Sequence, residues 1–478
     1  MTTADPRRPG LTQMNWRATG EEALASGVLI VLVGASFAAS VALTVTRWNH
    51  LEMSFFDFGY FDQIIWNTAH GRWFQSSFTP YHFLAQHFQP ILLPFVLAYR
   101  LGAGPLFLTI AQSAVVIVAA FPLYGAARCL GLRPALATLV ASTFLLSPYL
   151  HRTLDYDFHP EVMVALPAFA SAWLTAAGRW RGGAALALTT LLFKEDAVFV
   201  ALALAALLWW RGGRREGVVT AATALVWTAL LVLVLMPFGR DGHESNVMDR
   251  YTYLWAPGEG SAGRYGLLLA PWRAAAVLLS DRLLTAALFV LGTGPFAIVR
   301  PWIMWVLLPG LALVLLSTHP PQHSLELHYG AVLLPVGVIA GLVGTSWLAR
   351  RLPTAAVGAL AVLPVLAASF ALSPLFDTRG GAAPTAQHRA AVEAALALIP
   401  PDAPVAAQSA LAARLSRRVS IHEFPGGWPD AQWIVVDAFG QRSAQSAAAG
   451  FDEALREVRA THTRVYDRDG VEVFRAGP

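Results

Sequence analysis

The sequence predicts an all-α polytopic membrane protein of about 11 transmembrane helices, with a small soluble α/β domain at the C-terminus, on the exterior side. Three observations predict this class. Of the 478 residues, 56% are hydrophobic and 13% are charged, whereas soluble proteins average about 45–50% apolar and about 25% charged residues. Apolar runs follow one another up to Leu372, and apolar density then falls. The single cysteine excludes a disulfide scaffold and a cysteine-based zinc site.

The apolar runs begin with Ala25 to Val45, which is long enough for a bilayer core that needs roughly 20 residues per helix. No small-residue cleavage site follows this run, so we expect an uncleaved signal anchor. The stretch from Ala184 to Trp210 is interrupted by charged residues, and we interpret it as two short helices. The other runs are Leu106–Tyr124, Ala135–Leu150, Val162–Ala177, Val218–Pro237, Leu283–Val299, Trp302–Ser317, Ala331–Leu348 and Ala355–Leu372.

Basic residues set the predicted orientation, because short cytoplasmic loops carry an excess of lysine and arginine. The N-terminal tail, residues 1–24, holds three arginines before the first span and is predicted to be cytoplasmic. If residues 184–210 form two short helices, every short cytoplasmic loop is basic. All 13 histidines then lie on the non-cytoplasmic side. We therefore expect a multi-pass protein of the plasma membrane, and the net charge of +4 does not indicate a nucleic-acid partner.

The predicted organisation has a transmembrane domain at residues 25–373, with exterior loops at 50–101 and 238–282, and a soluble domain at 380–478. Residues 377–381 are typical of a linker. In the soluble domain, the residue pattern predicts helices at Gln387–Ile399 and Ala444–Arg459. Strands are predicted at Val405–Gln408 and Trp433–Asp437, and a hairpin at Arg464–Phe474.

The first exterior loop begins with an aromatic segment, Phe55–Gly71, whose irregular mix of apolar and polar residues is typical of a helix at the membrane interface. Gly71 is placed to end that helix. Asp57 and Asp62 are five residues apart, so about 140° separates them on a helix and they cannot both face one site. We favour Asp57 as the free carboxylate. The alternative is that Asp57 caps the helix and Trp66 only anchors it at the interface.

Two histidine-containing segments flank further apolar stretches. His87 precedes Ile91–Leu101, which is too short to span and is expected to be half-inserted. In the segment His319–Tyr329, the last two residues, His328 and Tyr329, open a membrane helix. The spacing of its histidines matches no strong zinc signature, so contact with substrate is the favoured role. A satisfied interfacial histidine is the alternative for His87, and a metal-binding role is the alternative for His319–Tyr329.

The second exterior loop carries three carboxylates and one imidazole within the seven residues Asp155–Glu161. In an extended conformation, alternate side chains share one face. Carboxylate oxygens with some imidazole suit Mg²⁺ or Mn²⁺. We therefore predict Asp155, Asp157 and His159 as metal ligands; the alternative is an ordinary acidic loop in which Arg152 is the ionic partner.

Lys194 is the only lysine in the chain and stands beside Glu195 and Asp196, where the two short helices would meet. Helices of about 11 and 14 residues rise only about 16 and 21 Å. The junction between them therefore cannot reach the exterior surface of a core of roughly 30 Å. We expect the junction to lie in a water-filled recess. A lysine there suits a phosphate group and a carboxylate suits a base; a self-neutralised cluster that shapes the turn is the alternative.

Several motifs together resemble the membrane proteins of domain-of-unknown-function family 2079. They are F-D-F-G-Y-F-D-Q-I-I-W-N-T-A-H-G-R, H-F-Q-P-I-L, D-Y-D-F-H-P, L-F-K-E-D and H-Y-G-A-V-L-L-P, over about Phe56 to Pro335. The stretch from V-A-A-Q-S to W-I-V-V-D resembles that family's C-terminal tail. The family name supplies no activity.

The layout is also similar to the GT-C glycosyltransferases, multi-span enzymes with an essential carboxylate in a long first exterior loop. This second resemblance implies transfer of a sugar from a polyprenyl-phosphate donor to an unidentified acceptor at the exterior face, with membrane lipid as a further partner. It implies Asp57 as general base, Lys194 opposite the phosphate and Glu195 positioning substrate. The remaining residues expected to contact substrate are Asp62, Gln63, Trp66, His87, His328 and Tyr329. The sequence departs from the GT-C pattern because its first loop has no adjacent acidic pair.

Two other functions fit the same residues. An intramembrane charge cluster in a water-filled recess also marks the substrate path of a lipid carrier or transporter. Inverted repeats would favour that reading, and the sequence shows none. A scaffold in an envelope complex, with the C-terminal domain as its binding module, is the third alternative.

Overall fold

The computed structural model describes residues 20–243, 248–254, 271–299, 301–376, 383–440 and 450–477. The predictions for most of the N-terminal tail, the linker and the middle of the loop at 238–282 lie outside the described residues. The helices are α1 (Gly20–Asn49), α2 (Tyr60–Ala69), α3 (Phe83–Gln86), α4 (Leu93–Arg100), α5 (Phe107–Val118), α6 (Ala120–Cys129), α7 (Pro134–Leu145), α8 (Pro148–Asp155), α9 (Ala165–Ala176), α10 (Trp180–Thr189), α11 (Val198–Trp210), α12 (Arg214–Leu230), α13 (Met236–Gly239), α14 (Pro271–Leu278), α15 (Arg282–Thr293), α16 (Pro301–Leu315), α17 (Pro320–His323), α18 (Leu334–Leu348), α19 (Thr354–Leu372), α20 (Ala386–Ala397), α21 (Ser409–Arg414) and α22 (Phe451–Thr461).

Short 3₁₀ and π turns join several of these helices. The strands are β1 (Val405–Ala407), β2 (Ile421–Glu423), β3 (Trp433–Asp437), β4 (Thr463–Arg468) and β5 (Val471–Arg475).

In the described part of the chain, four helical stretches are long and apolar enough to cross a membrane: Gly20–Asn49, Phe107–Cys129, Arg214–Gly239 and Thr354–Leu372. The pair α14 and α15, bent by 62°, would make a fifth span. Shorter apolar helices of 10–17 residues lie between them. One reason is that predicted runs are broken, as at Ser147, where α7 has ended and Pro148 starts α8. The total of about 11 spans stays a prediction.

The longest of these helices present apolar surface outward. Ile30 and Val31 on α1 are 59% and 69% exposed, and Leu233 and Phe370 elsewhere are 73% and 76% exposed. Contiguous exposed apolar surface of this kind is costly in water and fits contact with lipid chains.

The predicted pair of short helices is present as α10 and α11. Helix α10 ends at Thr189, the chain is extended at Lys194, and α11 begins at Val198. The two helices pack against each other, so the charged break lies at one end of the pair. The charges of residues 194–196 are therefore held inside the helical part of the protein.

The C-terminal domain has a five-stranded sheet in the order β2-β1-β3-β5-β4, in which β2, β1 and β3 are parallel and β5 is antiparallel to both neighbours. The predicted first helix, both strands and the hairpin are confirmed within one or two residues. The second predicted helix is present from Phe451 to Thr461, after Gly450 at a φ of 80°, and its predicted first residues lie outside the described part of the chain. Strand β2 and helix α21 escaped prediction because each is short and lacks a periodic pattern.

Helix α21 packs on a π-helical turn, Phe55–Gly59, at the start of the first loop. Phe55 is buried in the hydrophobic core of the C-terminal domain. A Cβ at Gly59 would lie 2.7 Å from the ring of Phe55 and 3.2 Å from the Cα of Ala413, so the glycine favours this close approach. The domain is thereby seated directly over the segment that carries Asp57.

Candidate functional site

Asp57 lies inside the π-helical turn and does not cap it. Ser54 is the capping residue, because its hydroxyl accepts a 3.2 Å hydrogen bond from the backbone N–H of Asp57. The alternative in which Asp57 is the cap is therefore wrong. The Asp57 carboxylate instead accepts a 2.5 Å hydrogen bond from the hydroxyl of Tyr156. Burial raises the pKa of the Asp57 carboxyl, which brings it closer to the range useful for a general base at neutral pH.

Asp62 and Gln63 turn away from Asp57 and toward the C-terminal domain. Both side chains are fully buried. Asp62 accepts hydrogen bonds from Tyr99 and Ser416 and pairs with Arg417. Gln63 donates to the backbone carbonyls of residues 418 and 419. The prediction that Asp57 and Asp62 face different sites is confirmed. Asp62 and Gln63 both bind residues of the C-terminal domain.

The extended arrangement predicted for Asp155–Glu161 is wrong. Helix α8 continues to Asp155, and a 3₁₀ helix begins at Pro160, so the alternation of side chains is lost. Asp157 is held by Arg47 at 3.1 Å and by the backbone N–H of Ser54 at 2.9 Å. The structure therefore does not bring Asp155, Asp157 and His159 together as one set of metal ligands.

A different cluster forms around the buried carboxylate of Glu161. Its Oε1 atom lies 3.7 Å from Nδ1 of His159 and 3.9 Å from Nε2 of His328. The two imidazole rings stack with their centroids 3.7 Å apart. The backbone N–H of His159 donates a hydrogen bond to Gln112 on α5, which ties His159 to that helix. Within the described residues, this is the group of histidine and acidic side chains whose donor atoms come close enough to hold a metal ion.

Lys194 belongs to the same cluster. Its ammonium lies 3.1 Å from Oε1 of Glu161, and Gln89 donates to the other oxygen of that carboxylate. The neighbouring Glu195 faces the first loop, where it accepts from Nδ1 of His87 at 2.9 Å and from the backbone N–H of Phe88 at 3.1 Å. The helix break is thus held by ion pairs between three separate segments of the chain, and the water-filled recess expected there stays a prediction.

The remaining predicted substrate contacts divide into two groups. Tyr329 packs on His328 with ring centroids 4.3 Å apart, and so it lies at the edge of the Glu161 cluster. Trp66 packs against His70 and under Arg72 at the far end of α2. The structure therefore joins Tyr329 to the cluster, while Trp66 contacts its own helix and loop.

A polar cavity of about 510 Å³ opens beside Tyr156. Its charged lining consists of Arg152, Asp155 and Glu326. An apolar groove of about 550 Å³ runs between α1 and α19 and shares Phe370 and Phe376 with the cavity. Groove and cavity are therefore neighbours that share two aromatic side chains; the groove lies at the lipid-facing helices, and the cavity is lined by Tyr156, the residue that holds Asp57.

Sequence reasoning left Glu161 out of the predicted ligands and did not single out Tyr156. The signal for Glu161 was the solitary lysine, because a lysine at membrane depth needs a carboxylate partner. Tyr156 carried no such signal. Its role depends on the turn at Phe55–Gly59 being brought 99 residues along the chain to the end of α8.

Comparison with known proteins places the chain in a family. Residues 47–473 match the family model described as predicted membrane protein, DUF2079. The chain belongs to the DUF2079 family. No curated protein matches it. Among solved structures, the DUF2079 chain is similar to a mutant of the arabinofuranosyltransferase AftD from Mycobacteria, solved by cryo-EM, with a TM-score of 0.48 and 16% identity.

That similarity covers 93% of this DUF2079 protein and 41% of the mycobacterial chain, so the protein spans about two-fifths of the length of that relative. The family match confirms the resemblance predicted from the motifs, and with the apolar helices it identifies a membrane protein.

Proposed function

We propose that this DUF2079 protein is a membrane glycosyltransferase that moves a sugar from a polyprenyl-phosphate donor to an acceptor hydroxyl at the exterior face of the plasma membrane. The observation that supports the proposal is that an apolar groove lies next to a polar cavity, and that the cavity is lined by Tyr156, the hydrogen-bond donor to Asp57. A long apolar chain suits the groove, and a sugar phosphate suits a cavity lined by charged side chains.

Asp57 is the base in this proposal. Its carboxylate takes the proton of the acceptor hydroxyl while the acceptor oxygen forms a bond to the anomeric carbon of the sugar. The bond between that carbon and the donor phosphate breaks, and the electron pair leaves with the lipid phosphate. Tyr156 orients Asp57 through its 2.5 Å hydrogen bond, and burial of the carboxyl raises its pKa toward the working pH.

The other charged residues act in holding the donor and the site. Arg152 is the cation that lines the cavity, and Asp155 and Glu326, which also line it, would face the sugar. Lys194 supplies positive charge deeper in the recess, partly shared with Glu161. Glu195 holds His87 and thereby ties the first loop to the helix break at Lys194.

The experiment is native mass spectrometry of protein extracted gently from its own membranes. Ala39 is exposed and lines the groove, so Ala39→Trp is expected to block it. Ala38 is exposed on the same helix outside the groove lining, and Ala38→Trp is the matched control. We expect a lipid-linked sugar on the wild type and on Ala38→Trp, and its loss from Ala39→Trp. Only bulk phospholipid, equal in all three proteins, would contradict the proposal and favour a carrier or a scaffold.

A further inference from the structure

The Glu161 cluster consists of His159, Glu161, His328 and Lys194. The ring nitrogens of its two histidines lack hydrogen bonds. Nε2 of His159 and Nδ1 of His328 are buried without a hydrogen-bond partner among the described residues. The other nitrogen of each ring faces Oε1 of Glu161 at 3.7 and 3.9 Å, which is too long for a hydrogen bond. The two nitrogens that face Glu161 are the ones that a shared ion could join to that carboxylate, whereas the two outer nitrogens would still need a water or another polar partner.

The charges around the cluster are also unbalanced. Lys194 interacts electrostatically with Glu161, Glu195 and Asp196, and Asp57 lies within electrostatic range of Glu161. Asp157 already has Arg47 as its partner. A buried excess of carboxylates is costly and is relieved by protonation or by a bound cation.

We infer that His159, Glu161 and His328 form a binding site for a divalent transition-metal ion, with Zn²⁺ as the expected occupant. Two imidazoles and one carboxylate are a donor set that Zn²⁺ uses at sites that keep one position open. Mg²⁺ prefers oxygen donors throughout, and so this set disfavours it. The site differs in two of its three ligands from the set of Asp155, Asp157 and His159 that the sequence predicted.

The donor atoms of His159, Glu161 and His328 would have to move closer together to bind one ion. With metal–ligand distances of about 2.1 Å, the donor atoms of a tetrahedral site lie about 3.4 Å apart. The donor atoms of these residues now lie within 4.8 Å of one another, and the two measured separations from Glu161 are 3.7 and 3.9 Å. The two separations from Glu161 would shorten by several tenths of an ångström, and the imidazole rings, which stack at an interplanar angle of 15°, would turn so that both lone pairs point at one ion.

The ammonium of Lys194 competes with a metal ion for the carboxylate of Glu161. It lies 3.1 Å from Oε1 of Glu161, the oxygen that would also face the metal. Replacing Lys194 with an uncharged side chain of similar length should therefore strengthen metal binding. Replacing either histidine should weaken it. Lys194 acting only as a structural partner of Glu161 predicts no such opposite effects.

The test measures metal binding in the full-length protein, without donor or acceptor, so that its result is independent of the proposed transfer reaction. The protein is purified through a tag that lacks histidine, stripped with a chelator and titrated with Zn²⁺. We expect one Zn²⁺ per chain in the wild type. We also expect a dissociation constant at least about tenfold weaker in His159→Ala and in His328→Ala, and tighter binding in Lys194→Met. His70 is exposed at the end of α2, and His70→Ala is expected to bind as the wild type does.

Equal Zn²⁺ binding in the wild type and both cluster-histidine variants would overturn the inference, as would no binding in the wild type or weaker binding in Lys194→Met. If a histidine variant fails to fold, X-ray absorption of the Zn²⁺-loaded wild type gives a second reading. Outer-shell scattering from two imidazole rings supports the site. Scattering from oxygen ligands alone overturns it.

Discussion

The guanidinium of Arg417 lies 3.3 Å from the carboxylate of Asp62, and this ion pair joins the C-terminal domain to the first loop. Asp62 is fully buried, whereas Arg417 is about one-third exposed. Ser416 and Tyr99 donate to the same carboxylate. Asp62 is thereby a docking residue for the domain, and the domain is held over the turn that carries Asp57.

Loss of this pair should loosen the C-terminal domain. Arg417→Ala leaves the Asp62 carboxylate buried with fewer donors, which we expect to lower the free energy of unfolding by about 1–3 kcal/mol. Limited proteolysis and thermal unfolding in detergent measure the effect. Arg464 is half exposed and pairs at the domain surface, so Arg464→Ala should destabilise the protein less than Arg417→Ala does. Equal effects of the two substitutions would contradict the docking role.

The pair of Lys194 and Glu161 makes a second prediction. Breaking a buried ion pair by removing one partner costs about 3–5 kcal/mol, because the other charge stays buried. We expect Lys194→Met and Glu161→Gln each to destabilise the protein, and the double variant to recover part of the loss. A double-mutant cycle on thermal unfolding, with metal chelated, measures the coupling. Additive single effects would show that the two charges do not interact.

Substitutions of Asp57 and of Tyr156 should have different effects on the kinetics. If Asp57 is the base, Asp57→Asn lowers kcat by about 10²–10⁴-fold and leaves donor bound, because general-base catalysis contributes that much. Tyr156→Phe keeps the carboxylate but removes its 2.5 Å hydrogen bond. We expect a smaller loss of kcat and a shifted pH profile. Transfer by the Asp57→Asn protein at the wild-type rate would exclude the assigned role.

The C-terminal domain should lose stability above neutral pH. His388 lies between Asp437 and Asp469 at 3.0 and 3.2 Å. Burial alone would lower the pKa of His388, but the two carboxylates raise it above its ordinary value. The stabilisation is full below about pH 6.5, the pKa of an unfolded histidine, and is lost as the pH rises through the raised folded pKa. Burial lowers the pKa of His422, so its contribution changes only below about pH 6.5.

Hydrogen exchange in strand β3, corrected for intrinsic exchange rates, measures this dependence in the full chain. Protection should fall between pH 6.5 and 8.5 in the wild type and stay nearly constant in His388→Gln. His462→Gln, at a half-exposed histidine of the same domain, should behave as the wild type does. A fall in His388→Gln equal to that of the wild type would exclude His388 as its cause.

The sequence predicted those features that depend on local pattern. The helix break at Lys194, the turn at Gly71 and the strand Trp433–Asp437 follow from charge, glycine and alternation over a few residues. Gly71 indeed adopts a positive φ of 86° just beyond α2. These signals are local, so they survive without knowledge of the tertiary fold.

The composition of the site could be predicted only in part, because its residues come from distant segments. The periodicity of α2 correctly separated Asp57 from Asp62, but nothing in the sequence showed that Asp62 meets Arg417, 355 residues away. The expected alternation of side chains in Asp155–Glu161 was wrong because α8 continues to Asp155 and a 3₁₀ turn begins at Pro160, so the segment is not extended throughout. Pairing of Glu161 with His328 depends on how α18 packs, which no local pattern encodes.

Orientation in the membrane yields the last prediction, because the proposed donor requires Asp57 at the exterior face. Cys129 is the only cysteine, so Cys129→Ser gives a chain without thiols. A single cysteine introduced into that chain then shows on which side of the membrane its position lies. Arg133 and Asp402 are both exposed, and the excess of arginine in short cytoplasmic loops puts Arg133 inside and the C-terminal domain outside. We expect a membrane-impermeant maleimide to label Asp402→Cys in intact cells and Arg133→Cys only after permeabilisation. The reverse pattern would place Asp57 on the cytoplasmic side and remove the basis for an exterior transferase.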